Sequence, residues 1–127
     1  MIVLDANILI AHLDASDAHH DRAETLLVDL SDSPLAASPF TLAEVLIGPA
    51  RTGQLDRATT ALALLEVAGV DLGPDAPVQL ALLRAGTSLK LPDCCVLLAA
   101  ENAHAAVATF DHRLAEVARD RGFDVRR

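Results

Sequence analysis

Short, continuously apolar runs alternate with longer helical patterns along this chain. Five short runs predict strands at residues 2–4, 35–38, 70–72, 105–110 and 123–125. Between them, apolar residues recur three and four positions apart, which predicts helices over residues 7–13, 18–30, 41–50, 54–68, 77–89, 92–104 and 111–121. Strands that are apolar on both faces and separated by helices indicate a parallel sheet covered on both sides. The pattern therefore predicts a three-layer α/β domain.

Breaks in this pattern are short. Turn-forming clusters at residues 31–34 and 73–77 fit loops inside one domain, and Gly48–Pro49 predicts an interruption or kink between two helical patterns. No repeat or linker divides the 127 residues, a length typical of one domain. We therefore expect a single domain over residues 1–127.

The composition excludes several classes of protein. Hydrophobic residues make up 52% of the chain, which excludes disorder, and the mean hydropathy of +0.34 indicates that a partner or a second copy covers some surface. Aromatic residues make up 2%, with no Trp and no Tyr, so an aromatic platform for stacked bases is excluded. The net charge of −8 also argues against a broad basic face for nucleic acid.

The cysteines and the first residues indicate the compartment. Cys94 and Cys95 are adjacent, so an ordinary disulfide between them is geometrically poor, and we expect two buried thiols. The start lacks the basic and apolar regions of a secretion signal, and no apolar run approaches the ~18 residues of a membrane span. We expect a cytoplasmic protein that does not use a membrane.

Four acidic residues stand at strand ends or inside apolar segments. Asp5 follows the first predicted strand and Asp111 the fourth, so the two face each other if those strands are neighbours. Glu44 interrupts an apolar run, and Asp93 precedes an apolar helix. Each acid also has a simpler explanation, because aspartates cap helices and a glutamate can lie on a solvated helix face.

Together, these acids predict a metal site. Carboxylates gathered in one crevice repel one another and become partly protonated unless a cation neutralises them. Oxygen ligands alone suit Mg²⁺ or Mn²⁺ rather than zinc. We therefore expect the four carboxylates to bind one of these ions as a unit.

Four segments of the chain resemble motifs of the PIN-domain ribonucleases, and among them of the VapC toxins of bacterial toxin–antitoxin pairs. The segments are IVLDANIL at residues 2–9, SPFTLAEVL at 38–46, LPD at 91–93 and TFD at 109–111. Their order and spacing match across the whole chain, and the acids typical of the family fall on Asp5, Glu44, Asp93 and Asp111. The chain departs from the family pattern at Ala6, where a hydroxyl residue is frequent.

The resemblance implies a five-stranded parallel sheet in the order 3-2-1-4-5, about seven helices, and Mg²⁺- or Mn²⁺-dependent endonucleolytic cleavage of RNA (tRNA, rRNA or mRNA). It also implies a homodimer and a VapB-type antitoxin whose tail fills the groove beside the acids. Asp5 and Asp93 would bind the main ion, with Glu44 and Asp111 contributing directly or through water. A basic antitoxin side chain paired with these carboxylates would explain inhibition.

Three polar residues are candidates to support the carboxylates. Asn7 would orient Asp5 or a bound water through its amide, the alternative being a bond to its own backbone. Thr41 and Thr109 would donate to carboxylates, while roles in a helix start or in strand packing are equally open for them.

Three basic residues are candidates for contacts with RNA phosphates. Lys90 lies three residues before Asp93, and Arg113 lies two residues after Asp111. For both, a solvated face or a local ion pair is the alternative. His20 is a further candidate, against an ordinary surface position.

Three alternatives to the ribonuclease are a phosphatase, a receiver domain and a non-catalytic PIN-fold interaction module. A haloacid-dehalogenase-like Mg²⁺ phosphatase begins with a similar strand and aspartate, but normally has a second Asp and a Thr where Asn7 and Leu9 stand. A receiver domain has this length, but it has a lysine after its fifth strand, whereas the only lysine here is Lys90. The interaction module would have no need of four intact acids.

Overall fold

Five strands and seven helices make up the structure, a computed structural model that describes residues 1–127. The strands are β1 Ile2–Leu4, β2 Leu35–Ala37, β3 Ala68–Gly69, β4 Ala106–Ala108 and β5 Val125–Arg126. The helices are α1 Ala6–Leu13, α2 His20–Asp29, α3 Pro39–Arg51, α4 Leu55–Leu64, α5 Ala76–Gly86, α6 Leu91–Ala103 and α7 His112–Asp120. Measured against a lipid bilayer, none of these helices is long and apolar enough to cross it.

All strand pairs are parallel, and the sheet order is β3-β2-β1-β4-β5, which confirms the predicted topology. The chain builds β2 and β3 on one side of β1 and then crosses to build β4 and β5 on the other. The pairing of Leu4 with Ala108 sets the register at the carboxyl ends of β1 and β4. These ends meet where the strand order reverses, which is where parallel sheets collect functional groups.

The core lies on both faces of the sheet because successive side chains of a strand point to opposite faces. Val3 packs in one cluster with α6 and α7, whereas Ile2 and Leu4 pack in the other with α1 and α2. In α6, every residue from Cys94 to Ala100 is buried, which explains why this helix is apolar all round. The two cysteines are free and buried, as expected.

The third strand lies at Ala68–Gly69, so its prediction at residues 70–72 is wrong. The N–H of Val70 donates to the carbonyl of Ala37 at 2.9 Å, and the chain then leaves the sheet, so that Leu72 packs in the core. An edge strand of two exposed residues has no continuous apolar run, and the run that follows it serves packing instead. The helix predicted over residues 54–68 ends at Leu64, and Ala68, the last residue of the predicted helix, belongs to β3.

Gly48–Pro49 does not end α3, which continues to Arg51. Pro49 lies in the last turn, where the missing N–H removes a single helical hydrogen bond. The N–H of Thr52 donates to the carbonyls of Gly48 and Pro49 and closes the helix. The predicted interruption therefore corresponds to the end of α3, which lies two residues after Pro49.

Candidate functional site

Asp5 stands where β1 ends and α1 begins, and both of its carboxylate oxygens are bonded. Its Oδ1 accepts from the N–H of Ala6 at 2.7 Å, and its Oδ2 accepts from the hydroxyl of Thr109 at 2.6 Å. Burial raises the pKa of Asp5, and these two hydrogen bonds lower it in part. Asp5 is therefore both the cap of α1 and a carboxylate held in a defined orientation.

The hydroxyl of Thr109 connects three parts of the site. It donates its one proton to Asp5, accepts from the N–H of Asp111 at 2.9 Å, and lies 3.5 Å from Nδ2 of Asn7. A hydroxyl has one proton and two lone pairs, so these contacts use its whole capacity. The structure thus joins Thr109 to Asp5, which is one of the two alternatives that the sequence left open for this residue.

Asn7 acts on the segment after β4 rather than on Asp5 directly. Its Oδ1 accepts from the N–H of Phe110 at 3.3 Å, while its Nδ2 faces Thr109. Asp111 then caps α7 by accepting from the N–H of Leu114 at 2.8 Å through Oδ1, which leaves its Oδ2 without a partner. Asn7 and Thr109 together hold the turn that carries Asp111.

Glu44 and Asp93 are half-buried on the facing helices α3 and α6, and neither has a hydrogen-bond or ion-pair partner. The pKa of Asp93 is raised to about 6, first by burial and then by the carboxylates of Asp5 and Asp111, against a lowering effect of Lys90. Burial and the charge of Asp93 raise the pKa of Glu44. The two carboxylates are thus partly desolvated, and neither has a hydrogen bond or an ion pair to offset this.

Charge effects on their pKa values link the four carboxylates, which indicates that they lie near one another, and we call this group the carboxylate crevice. Asp5 feels the charges of Asp111 and Glu44, and Asp93 feels those of Asp5 and Asp111. No three His, Cys, Asp or Glu side chains are gathered tightly enough to hold a metal ion by themselves. Mg²⁺ typically binds one or two carboxylates and fills its remaining positions with water and substrate phosphates. An open set of carboxylate oxygens fits such an ion.

Thr41 belongs to the start of α3. Its N–H and its Oγ1 both lie 3.1 Å from the hydroxyl of Ser38, which caps the helix, and it contacts no carboxylate. The structure therefore favours the helix-start alternative for Thr41. Ser38 is a site-supporting residue that the sequence analysis missed, although a serine directly before Pro39 is a recognisable capping signal.

The three predicted basic residues have different surroundings. Lys90 precedes α6, and its charge lowers the pKa of Asp93, so it lies near that carboxylate, while its contact with RNA stays a prediction. Arg113 donates to Ser88 and lies 3.5 Å from a carboxylate oxygen of Glu116. His20 donates from Nδ1 to the carbonyl of Ala11 at 2.7 Å. Arg113 and His20 thus have local partners, and contact with RNA stays a prediction for them.

The PIN domain family model matches residues 2–120. The chain belongs to the PIN domain family. The matched range contains all four carboxylates and the complete set of helices, so family membership rests on the whole fold and not on one motif. This confirms the family resemblance drawn from the sequence.

Solved structures similar to this PIN domain include proteins of toxin–antitoxin systems. A toxin–antitoxin complex from Klebsiella pneumoniae shares 26% sequence identity at a TM-score of 0.71, and the match covers 92% of each chain. VapC20 of Mycobacterium tuberculosis, a toxin that cleaves the sarcin–ricin loop, shares 18% identity at a TM-score of 0.73, covering 97% of this chain and 96% of that one. FitAcB of Neisseria gonorrhoeae shares 20% identity at a TM-score of 0.75, covering 100% and 97%. A search of curated proteins gives no significant match.

Proposed function

We propose that this PIN domain is an endoribonuclease of the toxin type that requires Mg²⁺ or Mn²⁺. The observation that carries the proposal is the crevice of mutually repelling carboxylates, in which Glu44 and Asp93 have neither a hydrogen bond nor an ion pair. Uncompensated charges of this kind cost stability, and a bound cation offsets that cost. The similarity to a toxin–antitoxin complex and to a toxin that cleaves the sarcin–ricin loop supports the same function.

Asp5 and Asp93 would hold the main ion, with Glu44 and Asp111 beside it or acting through water. When bound, Mg²⁺ or Mn²⁺ supplies positive charge that polarises phosphate oxygens and acidifies water. Without that charge the ionised carboxylates repel the RNA backbone, so the ion should strengthen RNA binding in the crevice, and cleavage should require it.

The chain's own residues keep the carboxylates in the ionised form and in the right orientation. Thr109 donates to Asp5, which favours the charged form of a carboxylate that burial would otherwise neutralise. Asn7 and Thr109 fix the turn of residues 109–111, so that Oδ2 of Asp111 stays directed away from its helix cap. Asp93, with a pKa of about 6, is mostly ionised at neutral pH.

The phosphatase alternative fits the geometry less well. A covalent phosphatase normally has a second aspartate where this chain has Asn7, whose amide cannot act as an acid and instead accepts from the N–H of Phe110. The receiver-domain alternative lacks its lysine, because Lys90 precedes α6 and does not follow the last strand. The non-catalytic module is separated from the nuclease by the experiment below.

A groove between the end of α1 and α3 supports an antitoxin partner. It has a volume of about 520 Å³, and its lining includes Ile10, Leu13, Glu44, Val45, Ile47 and Pro49. Ile10 and Ile47 are exposed, so an apolar segment laid in the groove would cover surface that water now contacts. Because Glu44 belongs to both the groove and the crevice, a basic side chain of a VapB-type antitoxin would reach the carboxylates there.

The α5 helix supports a homodimer. Only Leu83 of this helix is buried, while Val78 and Leu82 are 61% and 63% exposed. Residues four apart lie on one helix face, and the helix carries a single charged residue, Arg84. An apolar and nearly uncharged face of this kind fits a second copy of the same chain.

The test is cleavage of purified total RNA by the wild type and by Asp93→Asn, with the new RNA ends sequenced. We expect cleavage with Mg²⁺ or Mn²⁺, 5′-phosphate ends, no cleavage in EDTA, and a loss of several orders of magnitude in Asp93→Asn. Asp29→Asn removes an exposed carboxylate outside the crevice and serves as the charge-matched control.

Two results would contradict the proposal. Cleavage that persists in EDTA, or in Asp93→Asn at the rate of Asp29→Asn, would exclude the carboxylate crevice as the active site. Hydrolysis of a simple phosphomonoester without any cut in RNA would support the phosphatase, and inactivity toward both substrates would support the interaction module.

A further inference from the structure

A small cluster that contains two arginines lies beside the carboxylate crevice, although the chain as a whole carries a net charge of −8. The cluster consists of His19, Arg22, Phe110 and Arg127, and we call it the Phe110 cluster. The guanidinium carbon of Arg22 lies 4.3 Å from the centre of the Phe110 ring, and the ring of His19 lies 5.8 Å from it. Nη2 of Arg127 donates to the carbonyl of Phe110 at 3.2 Å.

The cluster is joined to the active-site turn through Phe110. The N–H of Phe110 donates to Asn7, which also faces Thr109, and the next residue is Asp111. The position of the ring is therefore fixed by the same hydrogen bonds that fix the carboxylates. A cation held on this ring has a defined place next to the crevice.

The cation–π contact of Arg22 leaves its hydrogen-bond donors free. The guanidinium lies over the Phe110 ring, and none of its five N–H groups has an acceptor in the protein. Neither Arg22 nor Arg127 forms an ion pair, although Asp17 and Asp21 are near in sequence, and Asp17 accepts from the N–H of His19 instead. Free, oriented guanidinium donors suit the oxygens of a phosphodiester.

We propose that Arg22, oriented by Phe110 and assisted by Arg127, binds an RNA phosphate next to the one that is cleaved. This inference rests on the proposed ribonuclease function. It adds a contact for phosphate to the candidates from the sequence, Lys90, Arg113 and His20, of which Arg113 and His20 have local partners. The charge of the cluster is opposite to that of the crevice, so it suits the phosphate backbone and not the basic antitoxin side chain.

The first test measures RNA binding in an Asp93→Asn background, which blocks cleavage. The probe is a fluorescently labelled, single-stranded RNA pool of random sequence. Adding Arg22→Ala should weaken binding roughly fivefold to tenfold. It should also make the slope of log association constant against log salt concentration less negative by about 0.7, as expected for one lost phosphate contact. Arg119→Ala removes an exposed, unpaired arginine about 12 Å along the axis of α7 from Asp111 and should change Kd less than twofold.

A double-mutant cycle tests whether Phe110 acts through Arg22. Phe110→Leu keeps apolar volume but removes the ring, and should weaken binding about threefold. In the Arg22→Ala background the same change should have no further effect. In otherwise wild-type enzyme, Arg22→Ala should act mainly by raising KM. Arg22→Gln keeps a planar amide without the charge and should show the same effect, so it replaces Arg22→Ala if that variant folds poorly.

The outcomes separate this inference from the proposed function. Binding by Arg22→Ala and Arg22→Gln equal to that of Arg119→Ala, with Mg²⁺-dependent cleavage intact, would overturn the inference and leave the ribonuclease standing. Unchanged RNA binding with weakened antitoxin binding would assign the cluster to the antitoxin and also overturn the inference. A wild type that neither binds nor cuts RNA would overturn both.

Discussion

The hydroxyl of Thr109 donates to Oδ2 of Asp5 at 2.6 Å, and this bond links the ends of the neighbouring strands β1 and β4. The bond exists because β1 and β4 are neighbours in register, so the residues that follow Leu4 and Ala108 lie side by side. A buried carboxylate tends to take up a proton, and a hydrogen bond to its charged form opposes that tendency. Thr109 thus keeps Asp5 ready to bind a cation.

Replacing Thr109 by valine should weaken ion binding and destabilise the fold. Valine keeps the shape but removes the contacts to Asp5, Asn7 and the N–H of Asp111, so we expect a loss of about 1–3 kcal/mol in the free energy of unfolding. Ion affinity should fall about ten- to hundredfold, as for other residues that orient metal ligands. The Mg²⁺ dependence of cleavage measures the second effect, and Thr109→Ser, which keeps the hydroxyl, is the control. An unchanged Mg²⁺ dependence in Thr109→Val would contradict the prediction.

Asp93 should make the ion-free protein less stable as the pH rises through about 6. An unperturbed aspartate has a pKa of 3.8, whereas the pKa of Asp93 in the folded protein is about 6, so the folded state binds the proton more tightly than the unfolded state. The stability from this proton is complete below the lower value and is lost as pH rises through the upper one. Because the side chain is half exposed, screening limits the effect to about 1–2 kcal/mol.

Urea unfolding of Asp93→Asn in EDTA, from pH 4 to pH 8, checks this pH dependence. The variant should show a smaller fall in stability between these limits, because the raised pKa values of Asp5 and Glu44 remain, and it should be more stable than the wild type at neutral pH. If the free energies of unfolding of the wild type and the variant change with pH in the same way, the proton of Asp93 does not affect stability and the prediction is wrong.

Divalent ions should stabilise the wild type against heat. An ion that binds only the folded state adds about 2.7 kcal/mol at a free concentration of about one hundred times Kd. Mg²⁺ should therefore raise Tm by several degrees in the wild type and far less in Asp93→Asn, with NaCl at equal ionic strength as the control. Equal shifts in the two proteins would mean that the ion binds outside the crevice.

A charge placed on the exposed face of α5 should separate the homodimer. Leu82→Glu puts a carboxylate on a face that would be buried against a second copy, and its desolvation opposes association. We expect dimers of the wild type and monomers of Leu82→Glu by light scattering at tens of micromolar. Leu64→Glu alters the 81% exposed leucine of α4 and should stay dimeric. A monomeric wild type would refute the homodimer itself.

Much of the architecture follows from the sequence because it depends on local patterns. The apolar runs of β1, β2 and β4 and the all-round apolar α6 are continuous in the chain, so their burial can be predicted without knowing their neighbours. The acids after β1 and β4 stand out for the same reason, since a carboxylate at the end of a buried strand marks the edge of the sheet.

The edge strand β3 and the contacts within the site depend on the tertiary structure. Ala68 and Gly69 form a strand only because Ala36 and Ala37 offer them a partner, and neither residue signals a strand by itself. Asn7 pairs with Thr109 and Phe110, and Arg22 stacks on Phe110, although these partners are far apart in the chain. A sequence pattern predicts which side chains are buried and which are exposed to solvent. Which of them contact one another is decided by the pairing of β4 with β1, because this pairing brings the residues after β4 next to the first residues of the chain.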